Sequence, residues 1–175
     1  MEDMPHEFTT SFLGDAITLF RQYKTGAERA MAQVTDEQLF TRLDPESNSI
    51  AIIVKHMAGN MRSRWTDFLA TDGEKPDRQR DSEFEEGPAS RAELMALWED
   101  GWKLVFTAIE PLTDQDLSRK VTIRGEPHSV MQAINRQLTH YAGHCGQIFL
   151  LAKHFAGAEW KTLTIPKAAR KAHLL

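Results

Sequence analysis

The stretch "HYAGHCGQ" at residues 140–147 places His140 and His144 four positions apart in a chain of 175 residues that has seven histidines. On a helix, residues four apart lie one above the other on the same face. Both imidazoles can then aim at one cation with little strain. Zinc-type ions take imidazole nitrogen at about 2.0–2.1 Å, and two such ligands leave the ion under-coordinated. The best third candidate is His56, one residue before the apolar Met57. Spacing alone leaves a second account open, in which the pair is solvated or hydrogen-bonded and holds no ion.

These rings need elements to position them, and hydrophobic periodicity supplies four long amphipathic helices. The first is predicted over residues 7–33, with Phe12, Ala16, Leu19, Tyr23, Ala27, Ala30 and Val34 on one stripe. The second, over 49–70, carries Ile50, Val54, Met57, Met61, Trp65 and Phe68 behind a capping "SNS". The third, over 90–112, shows Leu94, Trp98, Gly101 or Trp102, Val105 and Ala108. The fourth, over 129–155, shows Met131, Ile134, Leu138, Tyr141, Cys145, Ile148 and Ala152, and Gly157 is its predicted stop. Stepping each helix at about 100° per residue puts His56, His140 and His144 on the shoulders of their stripes, displaced in the same rotational sense. Residues so placed meet in a groove beside the core.

The connections carry further signals. "VTDEQLFTRL" before the second helix echoes "LTDQDLSRKV" before the fourth. The echo fits two helix-loop-helix halves, or two brief turns that share a threonine cap. "RKVTIRGEPHS" alternates around a Gly-Glu-Pro break, which predicts a short β-hairpin before the last helix. "DGEKPDRQRDSEFE" reads as a solvated charged loop; the alternative gathers Arg64, Arg78 and Arg80 over the groove to recognise an anionic substrate. The basic tail after Trp160 is expected to wrap the helices or fray.

Among the remaining polar residues, Asn60 and Gln137 share the histidine faces and are candidate partners for the ligand rings. Cys145 falls on the apolar stripe and reads as a buried thiol rather than a ligand. His6, His128, His154 and His173 read as surface residues. The residue after His140 is Tyr141, so the zincin pattern with its glutamate base is not met. No P-loop, dinucleotide fingerprint or Gly-x-Ser-x-Gly occurs, and no residue stands out as catalytic acid, base or nucleophile.

Composition bounds the class. Apolar residues are 41% and charged residues 26% of the chain, as in ordinary globular domains, so one domain over 1–175 can fold without a metal staple. A net charge of −4 without a basic run argues against nucleic acid. Acidic residues near the start, short apolar runs and a single cysteine lead us to expect no signal peptide, no membrane span and a cytoplasmic setting.

"SIAIIVKHMAGNMRSRWTDF", the charged loop after it and "AINRQLTHYAGHCGQIFLLAK" together resemble the DinB superfamily, within it an uncharacterised bacterial branch. The resemblance runs from the first helix to "WKTLTIP". It implies an all-α four-helix bundle of up-down-down-up connection, a homodimer, and a divalent metal held by His56, His140 and His144. Zinc, nickel or iron all suit imidazole. Relatives in other branches include transferases and isomerases that use low-molecular-weight thiols. The functional expectation is a metal-dependent hydrolase or thiol-dependent transferase on a small molecule. The alternative is a non-catalytic binding or stress-response module whose metal is structural or absent.

Overall fold

In a computed structural model, which describes residues 8–85 and 87–164, the chain is mainly helical with one small sheet. The helices are α1 (Phe12–Met31), α2 (Asp36–Phe40), α3 (Ile50–Trp65), α4 (Arg91–Ile109) and α5 (Val130–Ala156). Short 3-10 turns occupy Asp81–Phe84, Asp114–Ser118 and Gly157–Glu159. Strands β1 (Lys120–Ile123) and β2 (Glu126–Ser129) form the hairpin expected before the last helix, antiparallel with Val121 opposite His128.

Each long helix starts where a serine hydroxyl accepts an orphan amide. Ser11, Ser49, Ser90 and Ser129 bond the backbone N–H of Gly14, Ile52, Glu93 and Gln132. The two echoing segments fold as brief helical turns, α2 and Asp114–Ser118, each with a capping box on Thr35 or Thr113. Shared turn chemistry therefore accounts for the echo.

Several boundaries and faces differ from expectation, beginning with α1, predicted from residue 7 but starting at Phe12 behind its Ser11 cap. The second long helix, predicted to residue 70, ends at Trp65: Thr66 is extended and Asp67 adopts φ 48°, a left-handed conformation that breaks the helical ladder. Phe68 is buried all the same, reached by the turn rather than the helix. Met131 is exposed, because the apolar stripe of α5 runs through Val130, Ala133 and Ile134. On α1 the stripe centres on Leu13, Ala16, Phe20 and Ala27, and Phe12, Leu19 and Tyr23 flank it half-buried.

Helix α3 packs against α4, α5, α2 and the Asp81–Phe84 turn. Gly101 permits the α3–α4 approach, since a Cβ there would lie 3.3 Å from the Ala58 Cα. Phe20 sits edge-on to Trp65 and Trp102 in the middle of the core. Such wrapping buries His56, Asn60, Ser63 and Arg64 along with the apolar stripe of α3. Each buried polar group left without a partner costs roughly 1–3 kcal/mol, comparable to the gain from burying a whole aliphatic side chain. That cost favours pairing of the polar groups of α3, and the partners they find define the site.

Candidate metal centre

His56 on α3 meets His140 and His144 on α5. One ligand atom from each lies within 4.8 Å of the others. His56 Nε2 is 3.4 Å from His140 Nε2, and His144 Nε2 is 3.1 Å from the same atom. His56 is buried; His140 and His144 are half-buried, so solvent reaches the cluster from the α5 side.

The outer nitrogens fix the tautomers. His56 Nδ1 is 2.9 Å from Glu83 Oε2. Burial works against charge on Glu83, but hydrogen bonds from His56 and Arg78 outweigh it and hold the carboxyl below its ordinary range. An ionised carboxylate only accepts, so Nδ1 carries the hydrogen and His56 Nε2 presents a lone pair. His144 Nδ1 lies 2.9 Å from the Gln147 amide oxygen and donates to it, leaving His144 Nε2 a second lone pair. Both aim at His140 Nε2, which has at most one hydrogen to give. Protonating His140 is no remedy: burial, then the neighbouring rings of His144 and His56, push its pKa down to about 3. Burial also lowers that of His144.

Three imidazole nitrogens converging on one point suit a cation. Ligands at about 2.0–2.1 Å in a tetrahedron stand roughly 3.3–3.4 Å apart. The two Nε2 separations on His140, 3.1 and 3.4 Å, lie close to that edge. The donor set therefore fits a divalent ion, with His56, His140 and His144 as its holders.

Glu83 sits in a chain of alternating charges. Arg78 grips it with two bonds, Nε to Oε1 at 2.8 Å and Nη2 to Oε2 at 2.9 Å. Glu74 joins Arg78 at 3.2 Å, Arg64 at 3.0 Å and Arg124 of the hairpin at 3.0 Å. Asp72 accepts the amides of Glu74, Arg124 and Gly125, which ties the hairpin tip to the same loop. Phe84 stacks on the His56 ring with centroids 4.6 Å apart.

The arginines do not form the anion cradle considered from sequence. Arg64 and Arg78 are drawn inward and committed to Glu74 and Glu83, because a buried guanidinium requires a carboxylate. Arg80 stays exposed, over the Phe84 ring. Among the described residues neither Asn60 nor Gln137 hydrogen-bonds a ligand ring. The Asn60 oxygen accepts the Tyr141 hydroxyl at 3.1 Å, and that hydroxyl accepts the Trp65 indole N–H at 2.9 Å. Gln137 Oε1 and Arg64 Nε find no partner among the described residues, and both residues line a cavity of about 10 Å³ beside Thr122 and Ile123. A groove of about 1130 Å³ opens between α3, α4 and the 71–83 segment, but none of the three histidines lines it. Glu83 and Arg78 form its wall on the His56 side.

Cys145 is buried with its thiol against the Tyr23 carbonyl, and burial pushes its pKa up to about 12. His128 bonds the Glu126 carbonyl on the hairpin, and His154 packs on Phe155, both away from the cluster. His6, His173 and most of the basic tail lie outside the described residues. Sequence reading missed Glu83, Gln147 and Phe84. One signal was present: Gly59, a glycine inside α3 one turn after His56, marks a close approach.

The fold is DinB-like. It matches the crystal structure of a DinB-like protein from Bacillus cereus ATCC 10987 with a TM-score of 0.61, at 18% identity, over 91% of this chain and 100% of that one. The chain belongs to the family described as "Protein of unknown function (DUF1572)", which matches residues 7–169. A search of curated proteins finds no match. Among the described residues no helix is long and apolar enough to cross a membrane.

Proposed function

We propose that this chain is a metal-dependent enzyme with a three-histidine divalent centre, of the hydrolase or thiol-dependent transferase type. The observation that carries the reading is the convergence of three imidazole nitrogens that share at most one hydrogen. His56, His140 and His144 would hold zinc, nickel or iron. When bound, such an ion supplies Lewis acidity and lowers the pKa of water or a thiol. The residues do the rest. Glu83 orients His56, Gln147 orients His144, and Phe84 shields one face of the His56 ring from water.

Half-exposed His140 and His144 leave an approach for a small molecule, as catalytic three-ligand sites require. Glu83 is bound by both His56 and Arg78, so it is not a free base. Cys145 is buried, so the thiol of a transferase reaction comes from a low-molecular-weight co-substrate. The same reading takes α1, α3, α4 and α5 as an up-down-down-up four-helix bundle, one domain over residues 1–175, acting as a cytoplasmic homodimer.

Elemental analysis of the dialysed, untagged chain tests the centre. Wild type is expected to retain near-stoichiometric metal and His140→Ala to lose most of it. Unchanged stoichiometry in the variant overturns the assignment. The competing reading, a non-catalytic module with a structural metal, predicts instead a large loss of thermal stability on chelation. The apolar core is continuous without the ion, so we expect a loss limited to the ligand-binding contribution.

A further inference from the structure

The geometry points to Glu83 as the positioning residue of the centre and to Gly59 as the residue that admits it. This inference rests on the metal-centre reading. Glu83 comes from the Asp81–Phe84 turn, 27 residues away from His56, and is itself buried. Its carboxylate meets the ring at Nδ1, holding the hydrogen there and the lone pair at Nε2, toward His140. Without that acceptor the ring is free to carry its hydrogen on Nε2, and then the atom that faces His140 cannot ligate.

The path of the carboxylate crosses α3 at Gly59. A Cβ at that position would stand 2.4 Å from Glu83 Oε1, 2.7 Å from its Cδ and 3.0 Å from its Cγ. No packed atoms approach so closely. Elsewhere a flexible side chain would swing aside, but this one is clamped by Arg78 on both oxygens and cannot move without releasing His56. Glycine is disfavoured in a helix interior, where alanine is the best residue. Its place here follows from the space that the carboxylate needs.

The test uses untagged full-length protein and zinc in competition with a chromogenic chelator. Glu83→Ala and Gly59→Ala are each expected to bind zinc about 10–100-fold more weakly than wild type. Glu83→Gln, which keeps an acceptor oxygen, is expected to fall between them and wild type. Gly59→Ala is the decisive variant, because it keeps every acid and ligand and favours the helix. If it folds, by circular dichroism, and binds zinc as tightly as wild type, the inference is overturned. A second measurement needs no variant: nitrogen-15 NMR of metal-free wild type is expected to show His56 with its hydrogen on Nδ1. Hydrogen on Nε2 overturns the inference. Failure of the metal-centre reading shows separately, as metal retained by His140→Ala, and leaves the tautomer result to judge the hold of Glu83.

Discussion

Tyr141→Phe isolates one atom whose value can be worked out. The phenol is fully buried on α5, next to His140. Its oxygen accepts the Trp65 indole N–H at 2.9 Å, and its hydrogen goes to Asn60 Oδ1 at 3.1 Å. Phenylalanine keeps the ring and its contacts with Phe20 and Trp102, so transfer and cavity effects are small. What changes is polar: a buried donor on Trp65 and a buried acceptor on Asn60 both lose their partner. At about 1–3 kcal/mol for each of the two stranded groups, the substitution should cost roughly 2–6 kcal/mol. For a chain of this length each kcal/mol moves Tm by about 2–4 °C. The expected fall is therefore ~4–24 °C, alongside a lower urea midpoint at unchanged slope. Asn60→Ala in the Tyr141→Phe background should cost less than in wild type, since it removes an acceptor already stranded. A Tyr141→Phe protein within about 0.5 kcal/mol of wild type would refute the premise that the three side chains form a satisfied buried network.

Other outcomes follow from the same geometry. Cys145 should resist an aromatic disulfide reagent in the folded protein and react fully in denaturant, because the thiol is buried and its ionisation is suppressed; rapid reaction under native conditions would contradict that placement. Asp72 is held below its ordinary carboxylate range, first by the Glu74 amide and then by that of Gly125. A depressed folded-state pKa contributes stability above the unfolded value of about 3.9 and loses it as pH falls through the folded value. Wild type should therefore exceed Asp72→Asn in urea stability at neutral pH, with the gap closing below about pH 4; a gap independent of pH would show that the charge on Asp72 does nothing for the hairpin tip.

The parts of this molecule with periodic sequence were legible from it. The four long helices, the serine cap of α3 and the hairpin follow from stripes, the "SNS" signal and a Gly-containing turn that act over a few residues. The facing of His140 and His144 follows from helix pitch alone, and His56 was reachable because it too sits on a striped helix. The end of α3 at Trp65 was not, because the stripe continues to Phe68 while the backbone at Asp67 turns left-handed. Glu83 was hidden for a different reason. It lies in an aperiodic charged loop, where no spacing rule relates a carboxylate to a ring 27 positions earlier. The same loop invited the anion-binding reading of Arg64 and Arg78, which fails because burial forces those cations onto acids of their own chain. Asn60 was placed on the correct helix shoulder, yet its partner is the phenol beside His140 rather than the imidazole.

The single cysteine lies under α1 while the proposed ligands are all nitrogen atoms. A thiol-directed reagent that reaches the three rings therefore finds no cysteine among them, and can modify the chain only where α1 lifts away from α5.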